Sequence, residues 1–145
     1  QQGLSNVIAN TGLKGRWQTI KLSPQVILDV AHNKEGLIFV RDQIKTLTYK
    51  KLYLVMGFVQ GRKVIDLLAL LPKDSNYYLS SPNLDRALKL AELKKQLKDS
   101  SLQINYSKTV SKAYKKALLK AKSEDLIIVL GSTFVVAEVL KQIKN

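Results

Sequence analysis

Several short clusters in this sequence carry side chains that could bind or activate an anion. Gly15-Arg16 places a guanidinium just ahead of a β-rich run, where it can fork onto a phosphate or a carboxylate. Asp29, His32 and Asn33 close the apolar run Val26-Ile27-Leu28. An aspartate at a strand end can accept from a ribose hydroxyl or cap the helix that follows, and the residues alone leave both readings open. His32 is the single histidine, so two-histidine metal chemistry is excluded, and an isolated histidine is commonly a capping or packing residue. Ser132-Thr133 stands at the start of the last helical segment, where hydroxyl and backbone N–H groups can take an anion or simply cap the helix. Arg86, just after Ser80-Ser81-Pro82-Asn83, is ambiguous in the same way.

The elements that must position these residues can be traced along the chain. Residues 1 to 13 hold Leu4, Val7 and Ile8 at helical spacing but also Gly3 and Gly12, and read as a short helix or linker. Trp17 to Leu22 alternates and suits a half-buried strand, while Val26-Ile27-Leu28 is continuously apolar and suits a strand covered on both faces. Leu37, Val40, Ile44 and Leu47 fall on one helix face. Strands are predicted at Lys51 to Phe58, Tyr77 to Leu79, Leu102 to Tyr106 and Asp125 to Leu130. Helices are predicted from Val64 to Leu71, from Leu84 to about Lys98, around Val110 to Ala117, and through Val136, Val139, Leu140 and Ile143. Strand and helix alternate after an initial hairpin, at the ~30-residue interval of a βαβ unit. The prediction is an α/β, three-layer Rossmann-like domain: a mostly parallel six-stranded sheet, one antiparallel strand near its start, helices on both faces. In such folds ligands bind at the carboxyl ends of the strands, here Asp29-His32-Asn33, Gly57-Phe58, Ser80-Ser81-Pro82 and Gly131-Ser132-Thr133.

Composition narrows the classes. The chain has 145 residues, 46% hydrophobic, which fits one domain. There are 0 cysteines, so disulfides and thiolate metal sites are out and a reducing compartment fits. No apolar run reaches the ~18 residues of a membrane span and no signal peptide opens the chain, so a cytoplasmic protein without membrane contact is expected. The 24 Lys+Arg against 11 Asp+Glu give a net charge of +13, which favours an anionic partner without choosing one. No GxxxxGK[ST] loop, GxGxxG fingerprint or HExxH pair occurs.

Taken together, the GRWQ element, DVAHN, a strand ending in Gly57, YYLSSPNLDRAL and DLIIVLGSTFVVAEVL resemble the C-terminal domain of the folylpolyglutamate synthase branch of the Mur ligase superfamily, bifunctional in many bacteria as dihydrofolate synthase. The resemblance covers about Gly12 to the end, which divides the chain into a linker remnant (1–13) and a Mur ligase C-terminal, glutamate ligase domain (14–145). It implies an ATP-dependent amide ligase in which a substrate carboxylate is phosphorylated and the amine of L-glutamate displaces phosphate from the acyl phosphate. The substrates implied are folate or dihydropteroate, L-glutamate and ATP, with Mg2+ held by ligands in an N-terminal P-loop domain. Arg16 would contact ATP phosphates and Asp29 would bind the nucleotide. His32, as a catalytic residue, and Ser132 would lie toward the incoming glutamate, and this domain would supply no metal ligand.

The chain departs from the family where an Asp-Lys-Asp element often follows the strand ending in Gly57; Gly61-Arg62-Lys63 stands there instead, keeping a base and losing both acids. Without a P-loop of its own, the domain is expected to be inactive alone; a monomer is expected. Two alternatives stay open: a basic α/β module binding nucleic acid, and another Mur-type ligase adding an amino acid to a cell-wall precursor. Few aromatics (7%) and no helix-turn-helix, RRM or KH signature argue against nucleic acid, so none is expected as a partner.

Overall fold

A computed structural model describes residues 16–144, with side chains through Ile143. The expected linker at residues 1 to 13 lies outside the described residues. A six-stranded sheet has the order β1-β2-β6-β3-β4-β5. Its strands are β1 (Gln18–Leu22), β2 (Gln25–Leu28), β3 (Leu52–Gly57), β4 (Asn76–Ser80), β5 (Gln103–Tyr106) and β6 (Leu126–Leu130). β1 is antiparallel to β2, and every other pair is parallel. The predicted hairpin followed by a parallel sheet is therefore what forms.

Strand composition explains the layering. Leu126, Ile128 and Leu130 of β6 share one core with Ile27, Leu54 and Met56, whereas Ile127 and Val129 share the other with Val26, Leu28, Tyr53 and Val55. Central strands with apolar residues on both faces need helices on both faces. Three cover the first face: α1 (Lys34–Ile44), α2 (Val64–Leu68) and α3 (Leu90–Gln96). Two cover the second: α4 (Val110–Lys120) and α5 (Thr133–Lys144). Leu37, Val40 and Ile44 of α1 are buried as their spacing predicts. Among the described residues no helix is long and apolar enough to cross a membrane.

Two sequence expectations change. The helix predicted from Leu84 to about Lys98 begins only at Leu90, because the preceding stretch is diverted into a backbone bridge between Val59 and Ala87. Leu84, Ala87 and Leu88 carry helical spacing, yet Ala87 and Leu88 are buried through that bridge and not through a helix. In β1 the register shifts between Thr19 and Lys21, which breaks the alternation; Gln18 is buried while Leu22 is exposed on the sheet edge.

Connections leave β2 and β6 toward opposite faces, α1 on one and α5 on the other, which opens a crevice at their carboxyl ends. The ladder continues into it: Asp29 N–H donates to Val129 O (2.9 Å) and Gly131 N–H to Ala31 O (2.9 Å). Gly131 has φ 132°, and a Cβ there would overlap the Gly57 carbonyl oxygen. Strained φ and a backbone clash together should make Gly131→Ala cost on the order of 3 kcal/mol, measurable as a fall in the urea midpoint with an unchanged slope.

Burial has a further consequence for alkaline stability. Desolvation pushes the phenols of Tyr77 and Tyr114 up from 10.0 and the ordinary tyrosine range to about 12. An acid whose pKa is raised by folding stabilises the fold fully below its unfolded pKa and loses that contribution as pH climbs to the folded value. Stability should therefore decline between about pH 10 and 12, and Tyr114→Phe should flatten that decline when melts are followed across this range.

Candidate active site

The crevice holds two clefts that share His32. The first, about 360 Å³, is lined by Arg16, Asp29, Ala31, His32, Glu35 and Phe39, among others. Here β2 ends and α1 begins. Asn33 caps α1, its Oδ1 accepting from Gly36 N–H at 2.9 Å. Asp29 is therefore not the helix cap that the sequence left open. It is buried, 3% exposed, and both its oxygens face backbone: Oδ1 accepts from Ala31 N–H (2.8 Å) and Oδ2 from Trp17 N–H (3.0 Å). Burial raises the Asp29 pKa above its ordinary value, against the opposing pull of these two N–H groups and of the Arg16 charge.

Arg16 is exposed on the rim and has no carboxylate within 4.0 Å among the described residues, where the ion pairs are Arg41–Asp42 and Lys50–Glu124. A guanidinium left open above a cleft suits a phosphate, and Phe39, 47% exposed, adds an apolar surface beside it. These residues fit a nucleotide. They do not form a metal site: among the described residues no group of three or more His, Cys, Asp or Glu side chains is placed to hold an ion.

The second cleft, about 210 Å³, is lined by His32, Val59, Arg62, Arg86, Ser132, Thr133 and Phe134. His32 is exposed, and its Nδ1 lies 3.2 Å from Val30 O, which leaves Nε2 as the ring nitrogen not engaged by that contact. Ser132 caps α5, its Oγ accepting from Val135 N–H at 3.2 Å, and its hydroxyl proton stays free to donate. Two loops bring the arginines together. Val59 bridges Ala87, Gln60 N–H donates to Arg86 O (2.7 Å) and Leu88 N–H to Phe58 O (2.8 Å). Gln96 then ties the Arg62 loop to α3, accepting from Val64 N–H (2.8 Å) and donating to Arg62 O (3.1 Å).

All four residues singled out from the sequence, Arg16, Asp29, His32 and Ser132, thus line the two clefts. From the sequence Arg86 is undecided, Arg62 reads as a surviving base that with Lys63 makes the rim more basic, and Phe39 and Phe134 carry no signal. Both arginines stand in loops after parallel strands, which was the available signal; the bridge that aims them into one cleft has no sequence signature.

Comparison with known proteins bears on the family and the fold. Residues 15–133 match the family described as Mur ligase, glutamate ligase domain. A dihydrofolate synthase/folylpolyglutamate synthase of Buchnera aphidicola subsp. Schizaphis graminum is 33% identical over 138 residues, which is 93% of this chain and 32% of that protein. Escherichia coli FolC in complex with ADP superposes with a TM-score of 0.81 at 29% identity, over 94% of this chain and 33% of that one. A bifunctional folylpolyglutamate synthase/dihydrofolate synthase with Mn, AMPPNP and L-glutamate bound gives a TM-score of 0.82 at 25% identity, again over 94% of this chain and 33% of that one. The chain thus spans about a third of the length of these relatives. With the family match over residues 15–133 and the superposed folds in agreement, the chain belongs to the Mur ligase family, through its glutamate ligase domain.

Proposed function

We propose that this domain forms the C-terminal part of a cytoplasmic, ATP-dependent ligase that adds L-glutamate to folate, and that the same ligase makes dihydrofolate from dihydropteroate, as the double names of its relatives indicate. One observation carries the reading: two clefts, one lined by Arg16 and the other by Arg62 and Arg86, meet at His32. Such a pair suits two anionic reactants that must be brought together, a nucleotide phosphate and an amino-acid carboxylate.

When bound, ATP supplies the phosphoryl group that activates the substrate carboxylate. In the first cleft Arg16 holds phosphate oxygens and offsets their charge, and Asp29 lies against the nucleotide with the oxygen lone pairs that its backbone partners leave open. In the second cleft Arg62 and Arg86 take the carboxylates of L-glutamate, with a hydrogen bond from the Ser132 hydroxyl. His32, between them, can accept a proton at Nε2 from the attacking amine if Nδ1–H donates to Val30 O. Mg2+ and the rest of the phosphate cradle are assigned to an N-terminal P-loop domain, and the isolated glutamate ligase domain should not ligate by itself, since positioning supplies most of this chemistry. A monomer fits this division of labour.

The test is calorimetric titration of ADP with Mg2+ into the whole ligase carrying this domain. Arg16→Ala should weaken ADP binding on the order of 10- to 100-fold, since a hydrogen bond to a charged group is worth about 1.5–3 kcal/mol. An unchanged affinity would remove the nucleotide from this cleft. In steady-state ligation assays Arg86→Ala should raise KM for L-glutamate by roughly 10-fold or more while nucleotide affinity stays as in the wild type; a rise in nucleotide Kd with an unaltered glutamate KM would reverse the assignment of the two clefts.

A further inference from the structure

Trp17 is the one non-glycine residue with a positive φ (51°) among the described residues. A bulky side chain in the left-handed region costs roughly 1–2 kcal/mol and persists only where its surroundings hold it. Two contacts do so here. Its N–H donates to Asp29 Oδ2 at 3.0 Å, and its ring meets Phe39 edge-on, with centroids 6.4 Å apart and planes at 84°. Asp29 is itself anchored, because its other oxygen accepts Ala31 N–H at 2.8 Å in a site only 3% exposed.

The location of the turn gives it a consequence. β1 pairs antiparallel to β2 with Gln18 opposite Leu28, so a straight extension would run Trp17 and Arg16 along the edge of Asp29 and Val30. The left-handed residue instead bends the chain just before the strand, and Arg16 comes to line the cleft with His32, Glu35 and Phe39. We infer that Asp29 is a positioning residue for Arg16: its carboxylate locks the Trp17 turn, Phe39 backs the ring, and the locked turn aims the guanidinium into the cleft. The buried carboxylate then works chiefly through the backbone and the neighbouring arginine, and its contact with nucleotide is the lesser part of its effect. The inference rests on the nucleotide reading of this cleft.

A double-mutant cycle in the whole ligase separates the two, read as ADP dissociation constants by calorimetry. Asp29→Asn keeps an acceptor for Ala31 but turns an amide NH2 toward the Trp17 N–H, which releases the turn. It should weaken ADP binding on the order of 10-fold alone, yet less than about 2-fold when Arg16→Ala is already present. Equal factors in both backgrounds would overturn the inference and leave the nucleotide reading intact, because Asp29 would then act on the ligand directly. An ADP affinity indifferent to Arg16→Ala would sink both. A second pair guards against misfolding of Asp29→Asn: Trp17→Gly and Trp17→Val remove the same ring contact, but only glycine accepts the left-handed conformation freely. Trp17→Val should weaken ADP binding at least several-fold more than Trp17→Gly, and the gap should close in the Arg16→Ala background. Matching affinities for the two would refute a role for the turn.

Discussion

Backbone against backbone, Gly57 and Gly131 meet at the carboxyl edge of the sheet with no space for a side chain between them. The rest of the site depends on that contact. It holds the ends of β3 and β6 together, while the hydrogen bond from Gly131 N–H to Ala31 O extends the β2 ladder to the same point. His32 follows directly on one segment and Ser132 on another, so both residues line one cleft whose base is held by main-chain contacts. Main-chain contacts of this kind are stiff, because each group in them is committed to a ladder or a close-packed neighbour.

On this stiff edge the electrostatics are one-sided. Arg16, Arg62 and Arg86 stand at the clefts without carboxylates within ion-pair distance among the described residues. Leaving cations unpaired costs little while water solvates them, and the attraction grows when a ligand excludes that water. The carboxylate most deeply set into the site is handled in the opposite way: Asp29 is buried, and backbone N–H groups satisfy both its oxygens. Three arginines are thus left available to ligand while the buried Asp29 carboxylate is committed to backbone, with the exposed Glu35 the acid on the rim, an arrangement suited to anionic reactants and consistent with the +13 balance of the whole chain.

Much of this was legible in the sequence, for identifiable reasons. Val26-Ile27-Leu28 and the 126–130 run are apolar at every position, which only a strand covered on both faces requires, and that property alone predicts the three layers. Asp29, His32 and Ser132 could be picked out because they follow strand ends, a position defined along the chain, and Arg16 because Gly15-Arg16 stands just ahead of the first strand. What stayed hidden depends on contacts between distant segments. The stretch from Leu84 to Leu88 has helical spacing but pairs with Val59 across the fold, and local pattern cannot weigh that competition. Asp29 could be read as cap or ligand from its position; that it instead receives the N–H of Trp17 follows from a left-handed turn at a tryptophan, a conformation no sequence rule assigns to that residue.

The Val59–Ala87 bridge joins its two loops through main-chain groups alone. Apart from the buried Ala87 and Leu88, side chains in these loops are therefore not what keeps the loops in place, and they can be exchanged while the loops stay put. The Gly61-Arg62-Lys63 sequence sits in one of these loops, with Arg62 O held by Gln96. A scaffold of this kind allows the charge of the cleft it presents to be retuned by point substitution, without first having to rebuild the frame.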